Sequence, residues 1–132
     1  MGSELRASEG EGAAEERATG GCACGRVRYR VTGGLRDVVH CHCEPCRRIT
    51  GHHMAATAAR AEDLHLESDE TLQWYQRTET VRYGFCSACG GPLFWEATDK
   101  ANRVSIAAGT LDQPSGLRTG VAIYAGDAGD YH

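Results

Sequence analysis

The stretch Arg26-Val-Arg-Tyr-Arg-Val31 alternates charged and apolar side chains one for one, the period of a β-strand with a single buried face. Short runs of similar character recur at Leu35 to His40, His53 to Ala59, Leu64 to Glu67, Leu72 to Gln76 and Thr80 to Phe85. Three more follow at Leu93 to Trp95, Arg103 to Ala107 and Val121 to Ala125. Glycine pairs or polar breaks such as Gly33-Gly34, Ala61-Glu-Asp63 and Glu67-Ser-Asp-Glu70 separate them, which predicts strands joined by turns. The segment after Cys41 differs. Pro45 suits the first turn of a helix and Gly51 a stop just beyond it, so one or two helical turns are predicted there. The expected fold class is mainly β, without internal repeats.

Residues 1–19 carry almost no large apolar side chain, and such a segment cannot bury enough surface to offset the entropy of ordering it. A disordered tail is predicted over 1–19, followed by one folded domain over 20–132. The chain of 132 residues with 41% hydrophobic positions suits a single core, and 17 glycines against 3 prolines favour a turn-rich sheet protein over a bundle.

Charge removes some function classes. The net charge is −4 and the 14 Lys and Arg residues are scattered, so the broad basic footprint of a nucleic-acid binder is missing. No apolar stretch is long enough to cross a bilayer, and the start, Met1-Gly-Ser-Glu-Leu-Arg6, lacks the pattern of a secretory signal. A cytoplasmic protein with free thiols is expected, with no nucleic-acid or membrane partner.

The 7 cysteines divide as four plus three. Cys22-Ala-Cys24 and Cys86-Ser-Ala-Cys89 are distant pairs, each followed by glycine, and resemble the two halves of a zinc knuckle. Four thiolates close the tetrahedral shell of zinc, so this site is expected to be structural and to staple the two halves of the domain. Cys41-His-Cys43-Glu-Pro-Cys46 places three sulfurs within six residues, and the helical turn at Pro45 can fold Cys46 back toward Cys41 and Cys43. Three thiolates leave one coordination position open for a substrate. His42 lies between two ligands and is expected to point away from them. Two zinc ions per chain are therefore predicted.

A zinc ion held by three thiolates is a weak acid toward water, which disfavours hydrolysis, and it suits the capture of another sulfur, a small thiol. Arg47 and Arg48 are candidates to hold the carboxylates of such a thiol, because guanidinium forks match carboxylates. Thr50, Gly51 and His52 are candidates for the rim of the same pocket, with His52 a candidate proton carrier because imidazole titrates near neutrality, and Trp95 is a further pocket candidate. His53 and His65 read as structural or exposed. Two other functions use the same residues: a non-catalytic zinc module that binds another protein, and a redox sensor in which Cys41, Cys43 and Cys46 form a disulfide and release metal.

Several ordered motifs together resemble a known family. They are Gly20-Gly-Cys-Ala-Cys-Gly25 with the following Val-Arg-Tyr, Cys41-His-Cys-Glu-Pro-Cys-Arg-Arg-Ile-Thr-Gly51, Phe85-Cys-Ser-Ala-Cys-Gly90 with Leu93-Phe94, and Ala108-Gly-Thr-Leu-Asp112. In them the chain resembles the glutathione-dependent formaldehyde-activating enzymes, whose domain is shared with centromere protein V. The resemblance implies small stacked antiparallel sheets of the β-tent type. It implies a structural zinc at Cys22, Cys24, Cys86 and Cys89 and a catalytic zinc at Cys41, Cys43 and Cys46. The activity it implies is carbon–sulfur lyase chemistry, in which glutathione and formaldehyde combine reversibly as S-(hydroxymethyl)glutathione.

Overall fold

The computed structural model describes residues 16–132. Among the described residues ten strands form two sheets, with one α-helix between the third strand and the fourth: β1 (Ala18–Gly21), β2 (Arg28–Val31), β3 (Val38–Cys41), α1 (Glu44–Thr50), β4 (Met54–Arg60), β5 (Leu64–Ser68), β6 (Leu72–Gln76), β7 (Val81–Cys86), β8 (Pro92–Ala97), β9 (Arg103–Ala107) and β10 (Thr119–Ile123). The smaller sheet runs β1-β2-β5 and the larger runs β10-β3-β4-β9-β8-β7-β6. Every pairing is antiparallel except that of β10 with β3, which is parallel. The mainly β fold expected from the alternating runs is the fold observed.

The expected tail falls outside the described residues as far as residue 15. Its last four positions are described, and two of them, Ala18 and Thr19, belong to β1, which pairs with β2 from Ala18↔Val31 to Gly21↔Arg28. This strand, Ala-Thr-Gly-Gly, carries no alternation of its own, and β2 recruits it. Gly20 has a packing reason to lack a side chain, since a Cβ there would collide with the Tyr29 ring and the Thr110 carbonyl.

The core follows from the alternation. Val27, and Tyr29 and Val31 of β2, point inward against Leu93, Phe94, Val104 and Ile106, with Tyr29 and Phe94 edge to face at 5.4 Å. Each fully buried side chain of this size contributes about 1.5–3 kcal/mol. Cys22 and Cys86 belong to the same cluster, which places the first cysteine group at the margin of the main core.

The central strand β4 is built of small residues, Met54-Ala-Ala-Thr-Ala-Ala-Arg60. Its two faces do different things. Ala59 joins the main core and the buried Thr57 hydroxyl donates to the Arg36 carbonyl, whereas Ala56 and Ala58 face a cavity that larger side chains would fill. Among the described residues no helix is long and apolar enough to cross a membrane.

Candidate metal centres and the adjoining cavity

Two tight turns build the first cysteine group. After β1, the Gly25 amide donates to the Cys22 carbonyl (3.1 Å) with Gly25 at φ 81°, and after β7 the Gly90 amide donates to the Cys86 carbonyl (2.6 Å) with Gly90 at φ 79°. Both glycines occupy the left-handed region that side chains avoid, so each turn closes at no steric cost. Cys22 Sγ lies 3.6 Å from Cys24 Sγ, and Cys24 Sγ 3.7 Å from Cys86 Sγ. The four sulfurs, Cys89 included, all fall within 4.8 Å of one another. A disulfide requires about 2.05 Å. Sulfurs held about 2.3 Å from a shared zinc in tetrahedral array stand about 3.75 Å apart, so the spacing fits zinc.

The environment also favours thiolates at two of the four, Cys22 and Cys86. The Val27 amide donates to Cys22 Sγ at 3.3 Å. The Thr71 hydroxyl, 3.3 Å from Cys86 Sγ, holds that thiol down to about 6 against the opposing effect of burial.

The second group is assembled by a strand end and a helix start. Cys41 closes β3, Cys43 is the N-cap of α1, and Cys46 lies one turn into the helix on the same side as Cys43. Pro45 stands in the first turn, where a missing amide costs nothing, and Gly51 ends the helix in the left-handed conformation, φ 87°, with its amide on the Arg47 carbonyl. The sulfurs of Cys41, Cys43 and Cys46 converge within 4.8 Å, with Cys46 to Cys41 at 3.6 Å. Hydrogen bonding from the Cys46 thiol holds Cys41 down to about 6, and the same contact together with burial pushes Cys46 up. Within the metal-free trio this hydrogen bond favours negative charge on Cys41 and the proton on Cys46.

Cys41, Cys43 and Cys46 open onto a cavity of about 590 Å³. Met54, Ala56, Phe94, Trp95 and Ile123 give it apolar walls, and Tyr83 places its hydroxyl 3.9 Å from Cys46 Sγ. Burial, then the nearby Cys46 sulfur, push the Tyr83 phenol up, so it keeps its proton. Four cations also line the cavity, Arg36, Arg77, Lys100 and Arg103, and no acidic residue does. All four side chains reach solvent, which places them at the mouth. Burial, and to a lesser degree the charge of Arg103, depress the Arg36 guanidinium. Tyr124 joins the lining from the left-handed region, φ 56° and ψ 37°, a conformation uncommon for an aromatic residue.

The cavity departs from the sequence expectation in its polar residues. Arg47, Arg48, Thr50, Gly51 and His52 do not line it. Successive helix positions turn by about 100°, so with Cys46 facing inward the next two residues face out. Arg47 donates to the Asp127 carbonyl at 3.2 Å, Arg48 pairs with Glu44 one turn back, and the His52 ring meets the Tyr131 hydroxyl at 3.2 Å. Trp95 does line the cavity.

His42 points away from the trio, as its place between Cys41 and Cys43 requires, but it is not solvated. It is 4% exposed and packs among His52, His53 and His132. Burial, then the rings of His40, His52 and His42, hold His53 below the usual imidazole range.

Residues 17–127 match the family described as glutathione-dependent formaldehyde-activating enzyme. The chain belongs to that family. A solved crystal structure of a Rhodobacter sphaeroides protein is similar in fold, with a TM-score of 0.63 and 27% identity, over 76% of this chain and 97% of that one. The family match spans both cysteine groups and the cationic mouth, so a formaldehyde-activating enzyme is the general class into which this geometry falls.

Proposed function

We propose that the chain is a zinc-dependent carbon–sulfur lyase that joins and parts a small thiol and a small aldehyde, glutathione and formaldehyde being the pair its family name gives. The observation that carries this reading is the placement of the Cys41, Cys43 and Cys46 sulfurs in a cavity bounded by Arg36, Arg77, Lys100 and Arg103. Cys41, Cys43 and Cys46 are the residues that would hold the catalytic zinc, and Cys22, Cys24, Cys86 and Cys89 the structural one. The ion at the trio supplies, when bound, the Lewis acidity that lets a thiol react as its conjugate base near neutral pH.

The chain's own residues do the remainder. Glutathione carries two carboxylates and one ammonium, and the four cations attract and orient its carboxylates while the sulfur reaches inward. Apolar walls from Met54, Phe94, Trp95 and Ile123 exclude water, which competes with sulfur for an aldehyde carbon. In the forward direction the sulfur lone pair forms the C–S bond, the C=O π pair moves to oxygen, and that oxygen takes a proton. The Tyr83 hydroxyl, protonated and 3.9 Å from Cys46 Sγ, is a phenolic donor beside the trio. In reverse the same steps release the aldehyde. Holding thiol and aldehyde together accelerates the step through proximity. Free thiols of this kind fit the reducing cytoplasm.

The test is turnover of S-(hydroxymethyl)glutathione by zinc-loaded protein against a Cys43→Ser variant of equal folded content. Turnover in the first and a loss of about 100-fold or more in the second are expected, because an altered ligand changes the charge and affinity of the site. Equal rates would reject the lyase.

A further inference from the structure

The face of β3 opposite the cavity carries a second concentration of ligands. In the pairing of β3 with β4, Val39 stands opposite Ala56, His40 opposite Ala55 and Cys41 opposite Met54. Continued by one residue, this register sets His42 beside His53. Because side chains alternate along an extended chain, Cys41 and Cys43 turn to the cavity while His40 and His42 turn to the other side. The residues after β10 return to this side, where the His132 ring stands edge-on to that of His42, with centroids 4.8 Å apart and an interplanar angle of 88°.

One ring nitrogen from each of His42, His53 and His132 lies within 4.8 Å of the other two. Metal–imidazole bonds of about 2.0–2.1 Å bring ligand nitrogens to about 3.4 Å apart in a tetrahedral site, so shifts of about an ångström, side-chain rotations, complete the geometry. A second observation points the same way. Nδ1 of His42 and Nδ1 of His53 are buried with no hydrogen-bond partner. A buried nitrogen left in that state costs about 1–3 kcal/mol, and two within one cluster need an account. The ring planes are crossed, at 88° for His42 with His132 and 49° for His42 with His53, which lets in-plane lone pairs converge as parallel stacking would not.

We propose that His42, His53 and His132 form a third metal site, separate from both cysteine groups, for a divalent cation of the zinc and nickel type. Three neutral imidazoles with no carboxylate or thiolate among them select borderline transition ions over calcium or magnesium. They also leave the ion its full positive charge, the reverse of the electron-rich trio on the opposite face, together with an open position. Neighbours support the ligand rings: His40 stacks on His53 at 4.4 Å, and His52, which meets the Tyr131 hydroxyl, stacks on His132 at 5.1 Å. Binding would tie the segment around His132 to the β3–β4 hairpin.

The test is calorimetric titration of Zn²⁺ into full-length protein whose cysteine sites already carry zinc. Wild type is expected to take up one further equivalent, and His53→Ala and His132→Ala to weaken it about tenfold or more, since even residues behind metal ligands typically contribute 10–100-fold. His65→Ala, outside the cluster, should bind as wild type does. His132 lies outside every strand, so its variant keeps the fold, which circular dichroism checks directly. Absence of a further equivalent in wild type, or binding undiminished in both histidine variants, overturns the proposal. So does a further equivalent that persists in both but disappears in Cys43→Ser, because it then belongs to the sulfur trio. Cobalt(II) at the same site should show ligand-field bands without a new sulfur charge-transfer band.

Discussion

Cys24 Sγ stands 3.7 Å from Cys86 Sγ across 62 positions of sequence. A metal between those turns ties the segment after β1 to the end of β7 at the margin of the main core, and the unfolded chain offers no such preformed site. Binding energy at this group is therefore folding energy. Cys46 draws its partners from within the same short segment, so its ligation closes no long loop. Cys86→Ala should lower stability by about 4 kcal/mol or more, in the range reached by loss of a structural metal, and Cys46→Ala by clearly less. Denaturant midpoints on zinc-loaded proteins measure both, and matching midpoints would contradict this division.

In protein whose trio has been stripped of metal, Cys41 should be the reactive thiolate. Its thiol is held down to about 6 by the Cys46 hydrogen bond, whereas Cys46 is pushed up by the same contact and by burial. A folded-state value below that of the unfolded chain stabilises the fold above the unfolded thiol's pKa, and this contribution fades as pH falls through about 6. Alkylation by iodoacetamide, followed residue by residue, should reach half its plateau rate at Cys41 near pH 6 and stay slow at Cys46. Superimposable pH profiles for the two thiols would be inconsistent with the asymmetry.

Much of this was legible in the sequence because the signals are local. Alternation marks β2, cysteine spacing with glycine marks the knuckles, and Pro45 with Gly51 brackets α1 within a residue of its ends. What was not legible depends on long-range pairing. β1 has no pattern until β2 supplies one. The four cations come from the segment before β3, the β6–β7 turn, the β8–β9 turn and the start of β9, and only the sheet brings them to one mouth. Arg47 and Arg48 adjoin Cys46 in the sequence, and helix phase turns them outward. His42 and His53 become neighbours only through the hairpin register, which a sequence without its turn geometry leaves open.

Gly20 offers a test of the smaller sheet's packing. A Cβ there would meet the Tyr29 ring and the Thr110 carbonyl, and Tyr29 is itself pinned by a 2.6 Å hydrogen bond to the Thr110 hydroxyl. Neither neighbour is the loose end of a flexible side chain. Gly20→Ala should therefore destabilise by about 1–3 kcal/mol, although alanine in an unhindered strand would be neutral or better. Gly34→Ala, where nothing lies within 4 Å of the added atom, is the matched control. Equal stability of the two variants would mean that β1 does not pack as described.

Arg103 and Arg36 both line the cavity, and the charge of Arg103 adds to burial in depressing the Arg36 guanidinium, so a carboxylate entering between them is expected to bind favourably. The contribution belongs to substrate binding rather than to the reacting atoms, so Arg103→Ala should raise KM for glutathione about fivefold with little change in kcat. The magnitude is that of about 1 kcal/mol, appropriate to a solvent-exposed charge pair. Added salt should raise KM for wild type and do so less for the variant, because screening already removes part of what the mutation removes. A thiol without carboxylates should be handled equally by both proteins. A fall in kcat at unchanged KM, or the same loss with the uncharged thiol, would place Arg103 in the chemistry or the fold and not at an anion-binding mouth.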